Sequence, residues 1–105
     1  MDPVQAQVDA YNARDIDAFA SAYADDVVIS DHDGRPLLGG VEAIRDQYGA
    51  LFDGTPDLRA EILGRISAGD WTVDHERVSR GDDTRELLVA YQVEGDTIRR
   101  VVMLG

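Results

Sequence analysis

The stretch from Val27 to Gly40, VVISDHDGRPLLGG, places Asp31, His32 and Asp33 in a row where a run of apolar residues ends. Carboxylates and imidazoles move protons and bind metals. Side chains alternate faces along a strand, so if Val27 and Ile29 point inward, Asp31 does as well, while Val28, Ser30 and His32 face the other way. A carboxylate against an apolar wall is desolvated, which raises its pKa and makes it a proton carrier near neutrality. The competing reading ends the strand by Ser30 and leaves Asp31 solvated. A metal site is disfavoured, because adjacent strand residues cannot converge on one ion and the only other histidine is His75. Asp33-Gly34-Arg35-Pro36 reads as turn chemistry.

A second group of ionisable residues lies in WTVDHERVS. Trp71, Val73, His75, Arg77 and Ser79 share one strand face; Thr72, Asp74, Glu76 and Val78 share the other. The face that starts apolar is the expected inner one, which brings Trp71, His75 and Arg77 to the pocket. The plainer reading makes His75 a satisfied core histidine and twists Arg77 out to solvent. An interior arginine needs a carboxylate partner. Asp31 could be that partner, and would then be ionised rather than a tuned base. These readings of Asp31 exclude each other, and both stay open. Tyr91 belongs with Leu87, Val89 and Val93 to a mostly core face, where it could line a cavity. Tyr11, Tyr23 and Tyr48 lie on apolar helix faces. Tyr48 is kept as a hydrogen-bond donor to a ligand, since a buried hydroxyl needs a partner.

These residues must be positioned by regular elements. Asp2-Pro3 reads as a cap and first helical residue, followed by Val4, Val8 and Tyr11 on one face. Asp15 caps a second short helix with Ile16, Phe19 and Tyr23 on its apolar side. Strand one runs from about Val27 to Asp31. After Gly39-Gly40 comes the clearest helix, VEAIRDQYGALF, burying Val41, Ile44, Tyr48, Leu51 and Phe52. From Leu58 the period changes to two, with breaks at Ala68-Gly69-Asp70, Arg80-Gly81-Asp82-Asp83 and Glu94-Gly95-Asp96. The spacing predicts four strands in an antiparallel meander, covered by three N-terminal helices: an α+β fold with a curved sheet wrapped on helices.

The totals narrow the function. The chain of 105 residues is expected to form a single domain, 1–105, large enough for a core and one modest pocket. It has no cysteine, which excludes disulfides, thiolate nucleophiles and cysteine metal sites. A formal charge of −11 repels phosphate backbones, so nucleic acid is not an expected partner. No apolar run is long enough to span a membrane. The opening MDPVQAQ lacks the pattern of a signal peptide, so a cytoplasmic location is expected. No phosphate-cradling or nucleophile-elbow motif occurs, and no bound cofactor or metal is implied.

The pattern AYNARDIDAFASAYADDVVISD, then a glycine, then GGVEAIRDQY, resembles the SnoaL-like branch of the nuclear transport factor 2 superfamily. The resemblance covers nearly the whole chain. It implies a cystatin-like α+β roll: a cone of bent sheet closed by helices around an apolar pocket. Members include steroid isomerases, polyketide cyclases and limonene-epoxide hydrolases. By resemblance to the isomerases, the general base falls on Asp31 and two network tyrosines on Tyr23 and Tyr48. Their two oxyanion donors fall on Gln7 and Val89, so both are missing. The epoxide-hydrolase strand motif matches Glu76-Arg77-Val78-Ser79, keeping Arg77 but putting Ser79 where a carboxylate belongs.

The implied function is proton transfer on a small apolar molecule, with Asp31 as base and Tyr48, His75 or Arg77 polarising the substrate oxygen. The alternative is a ligand-binding or assembly module without catalysis. The architecture also implies a homodimer through the open sheet face, where Leu63, Leu88, Val101 and Met103 are the expected apolar residues.

Overall fold

Asp2 starts the first helix as its side chain dictates, accepting the Val4 N–H at 3.0 Å, with Pro3 next in line. The computed structural model describes residues 2–105. Helix α1 (Pro3–Ala13) ends at Arg14, whose φ of 54° closes the turn while its guanidinium donates to the Leu58 carbonyl at 2.8 Å. Asp15 caps α2 (Ile16–Ser21) through the Ala18 N–H at 3.1 Å. Strands β1 (Tyr23–Asp31) and β2 (Pro36–Gly39) form a hairpin, followed by α3 (Val41–Gly54). The meander is β3 (Arg59–Ala68), β4 (Trp71–Arg80), β5 (Asp83–Glu94) and β6 (Thr97–Met103).

The six strands form one curved, unclosed sheet in the order β2-β1-β6-β5-β4-β3. The α+β architecture and the four-stranded meander agree with the sequence reading. Two details differ. The short edge strand β2 was not foreseen, because PLLG opens with a proline, which fits only a strand start or an edge. The sheet is also mixed rather than antiparallel throughout: β6 returns parallel to β1, pairing Ile29 with Val101 and Asp31 with Met103. Strand β1 begins at Tyr23, four residues before the expected start, so Tyr23 sits on a strand and not on a helix face.

The core lies between the three helices and the concave face of the sheet. Val4, Phe19, Val27, Ile44, Leu58 and Ile98 are its largest fully buried apolar side chains. The inner face of β4 is the reverse of the expected one. Asp74 is 0% exposed and Glu76 is 7% exposed, whereas Trp71, Val73, His75 and Arg77 lie on the opposite face. Burial of Asp74 is possible because Arg65 grips it with two bonds, Nε to Oδ1 at 2.6 Å and Nη2 to Oδ2 at 2.9 Å. Trp71 is covered instead by Arg100, whose guanidinium lies 5.9 Å from the ring centroid. Of the four apolar residues expected on the outer face, Leu63 and Leu88 are exposed. Val101 is 4% exposed in the core and Met103 lines the cavity, because β6 runs parallel to β1 and takes its facing from that pairing.

Candidate functional site

All four tyrosines of the chain line one cavity of about 80 Å³ between the helices and the concave sheet. Tyr11 comes from α1, Tyr23 from β1, Tyr48 from α3 and Tyr91 from β5. Phe19 packs among them, 5.2 Å from the Tyr23 ring and 4.8 Å from the Tyr48 ring. The remaining wall is apolar, including Ile29, Val78, Leu87, Val89 and Met103, apart from Gln7 and Glu76.

Among the described residues, Glu76 is the cavity's only ionisable group besides the tyrosines. A chain of hydrogen bonds converges on it. The Tyr23 hydroxyl donates to Gln7 Oε1 at 3.2 Å, Gln7 Nε2 donates to the Tyr91 hydroxyl at 3.3 Å, and that hydroxyl donates to Glu76 Oε2 at 2.8 Å. Oε1 of Glu76 accepts no hydrogen bond among the described residues. No buried side-chain oxygen or nitrogen there lacks a partner, so Oε1 is not sealed in and opens on the cavity. By the same argument the hydroxyls of Tyr11 and Tyr48, which bond to no described residue, are open and free to donate.

Burial pushes the Glu76 carboxyl above its usual range, against the lowering effect of the Tyr91 hydrogen bond; the nearby Asp74 adds to the rise. Burial also raises the phenols: Tyr11 to about 12, Tyr48 upward, and Tyr23 and Tyr91 well above the usual value. They remain protonated donors at any physiological pH. The site thus combines a desolvated carboxylate oxygen with two unengaged phenol donors in an apolar chamber.

Asp31 keeps the phase of Val27 and Ile29, opposite the cavity residue Met103, but it is not among the residues that line the cavity. Its Oδ1 accepts the N–H groups of Asp33 at 3.0 Å and Arg35 at 2.9 Å, and Oδ2 lies 3.1 Å from Arg35 Nε. These bonds, that from the Arg35 backbone first, hold its carboxyl below the usual range. The charge partner is therefore Arg35 and not Arg77, because the hairpin turn brings residue 35 back over residue 31.

Tyr23, Tyr48 and Tyr91 line the cavity; Trp71, His75 and Arg77 do not. The last three are corrected to the outer face of β4. There His75 Nε2 lies 2.6 Å from Glu86 Oε1, and Arg77 pairs with Glu61 at 3.3 Å and Glu86 at 3.9 Å. Glu76 was missed as a site residue, although the chain signals it. The turn at Gly81 sets Leu87 opposite Glu76 and Val89 opposite Asp74, so an inward Leu87–Val89–Tyr91 face requires an inward Glu76.

No cluster of histidine, aspartate and glutamate that could hold a metal occurs among the described residues, and none of their helices is long and apolar enough to cross a membrane. A family model described as a SnoaL-like domain matches residues 4–101. No curated protein matches the chain. Among solved structures, an uncharacterized cystatin fold protein from Novosphingobium aromaticivorans is 28% identical, over 100% of this chain and 99% of that one, with a TM-score of 0.91. A proposed polyketide cyclase from Sinorhizobium meliloti is 25% identical over 96% and 92%, with a TM-score of 0.81. A protein with a ketosteroid isomerase-like fold from Catenulispora acidiphila, solved with trimethylamine, shares the fold at 19% identity over 98% and 84%, with a TM-score of 0.76.

Proposed function

The chain belongs to the SnoaL-like domain family, and from that premise we propose that its cavity takes a small, largely apolar carbonyl compound and moves a proton on it. The observation that carries this reading is the open Oε1 of Glu76, a carboxylate oxygen raised in basicity by burial and facing unengaged phenols. In the proposed step Oε1 takes a proton from the carbon beside the carbonyl. The C–H electron pair becomes an enolate, and the Tyr11 and Tyr48 hydroxyls donate to its oxygen. Return of the proton to another carbon gives isomerisation; attack of the enolate carbon on a second carbonyl gives cyclisation. The rival base is Asp31, which the family resemblance implies. Two backbone donors and Arg35 occupy its carboxylate and lower its basicity, which favours Glu76.

The test is solvent deuterium exchange at the α-carbons of a panel of cyclic ketones, followed by NMR. Glu76→Gln is expected to slow exchange about 100-fold or more, while Asp31→Asn retains it. The reverse pattern would return the base to Asp31. Absence of exchange with the wild-type protein, together with ketone binding, would favour the non-catalytic ligand-binding module.

Pairing of two copies through the outer sheet face is a further part of the proposal. Ile66 is 72% exposed and Leu88 45% exposed on that face, unusual for large apolar side chains. A single species of monomer mass in sedimentation at 10 µM, roughly the concentration at which a moderate dimer persists, would rule it out.

A further inference from the structure

The cavity is bordered by a second, larger cleft of about 520 Å³, and Tyr11, Tyr48, Val78 and Leu87 line both. The cleft adds Leu51 and Leu58 to its apolar wall and ends at Arg80, Asp83, Thr84 and Arg85, on either side of the β4–β5 turn. The register places these groups. Arg85 lies opposite Val78, and Arg80 stands two residues beyond it on the same face. Along the inner face of the hairpin, Glu76 is thus followed by Val78 and then Arg80, a run of about 13 Å between the outer Cα positions.

The state of these two arginines sets them apart. The chain has ten basic residues, all arginine. Arg35, Arg45, Arg65, Arg77 and Arg99 are held by carboxylates. Arg14 bonds the Leu58 carbonyl, and Arg100 lies over Trp71. Only Arg59, Arg80 and Arg85 have no such partner among the described residues, and two of the three line this one cleft. Asp83 faces Arg80 in the register yet forms no ion pair with it, and Asp57, close to the turn, is occupied by the Gly81 N–H at 2.6 Å. In a chain of net charge −11, two guanidinium groups without an ion-pair partner, in a cleft that shares four lining residues with the cavity of Glu76, form a local exception.

The geometry points to an anion subsite at Arg80 and Arg85, so that the ligand is an amphipathic acid: a carboxylate, sulfonate or phosphate at the mouth, and an apolar body running inward toward Glu76. This rests on the reading of the cavity as a small-molecule site. The arginines would bind the anion through charge-assisted hydrogen bonds and fix which end of the ligand enters first. That polarity also keeps the ligand's own charge away from the Glu76 carboxylate.

The experiment compares two probes that differ in one group: 1-anilinonaphthalene-8-sulfonate and its neutral counterpart N-phenyl-1-naphthylamine. Each is titrated by fluorescence into wild type and Arg80→Gln/Arg85→Gln. Wild type is expected to prefer the sulfonate about 10-fold, from two partly exposed charge contacts. The double arginine variant should bring the ratio of the two Kd values to about one. Equal binding of the two probes by wild type, or a preference unmoved by the arginine substitutions, overturns the anion subsite while leaving the small-molecule site standing. Failure of both probes to bind wild type overturns both readings.

Discussion

The Tyr91 hydroxyl, on β5, donates a 2.8 Å hydrogen bond to Oε2 of Glu76 on the neighbouring strand β4. It thereby holds one carboxylate oxygen in place and leaves the other to the cavity. The bond also limits how far burial can raise the carboxyl, since a donor to the charged form favours that form.

Tyr91→Phe should therefore push the Glu76 pKa further up, visible as a carboxyl carbon signal titrating at higher pH than in wild type. Gln7 Nε2 loses an acceptor in the same variant. A stability loss of about 1–3 kcal/mol in urea denaturation is expected.

Two carboxyls shifted in opposite directions give opposite pH dependences. Glu76 is raised in the folded state, so the native protein binds its proton more readily than the unfolded chain does. Its ionisation costs stability as pH rises from the unfolded value of 4.5 through the folded one. Asp31 is lowered, so its contribution is present above 3.8 and is lost as pH falls through its folded value. Melting temperatures recorded from pH 3 to 8 should show Glu76→Gln flattening the decline on the alkaline side. Asp31→Asn should flatten the decline on the acid side.

Tyr48→Phe removes a hydroxyl without disturbing the ring that packs 4.8 Å from Phe19. If this hydroxyl supports the enolate oxygen, exchange of a bound ketone should fall about 100-fold. The melting temperature should stay nearly unchanged, a split that a packing role would not produce.

Arg65→Met leaves the fully buried Asp74 without its cation, and a loss of about 3 kcal/mol is expected in denaturant unfolding. Asp74→Asn should cost less, because Arg65 is itself 25% exposed and can be solvated.

Most of the architecture was legible because caps, helical periodicity and hairpin turns are local signals. Asp2, Asp15 and the glycine turns state their structure within a few residues. The facing of β4 was not legible from β4 alone, since Asp74 and Glu76 look like a solvated side. They are buried because Arg65 on β3 and Tyr91 on β5 satisfy them, and neither partner shows in a single-strand pattern. Reading β4 and β5 together through their turn would have recovered the face. Asp31 was placed in the right phase, but its role in the β1–β2 turn depended on Arg35 returning within reach, a detail set by the turn geometry.

The parallel pairing of β6 with β1 has a consequence for how the chain assembles. As the protein is synthesised, β1 and β2 emerge before α3, and β3, β4 and β5 after it. These two groups have no strand in common until β6 is made and slots between β1 and β5. The sheet's most distant partners in sequence are joined by its last strand, so loop closure is concentrated in one late step. Until then the inner faces of both groups stand uncovered along the edges that β6 will occupy. A nascent chain stalled before Thr97 would therefore present two open strand edges, the stage at which misassembly with other chains is most favoured.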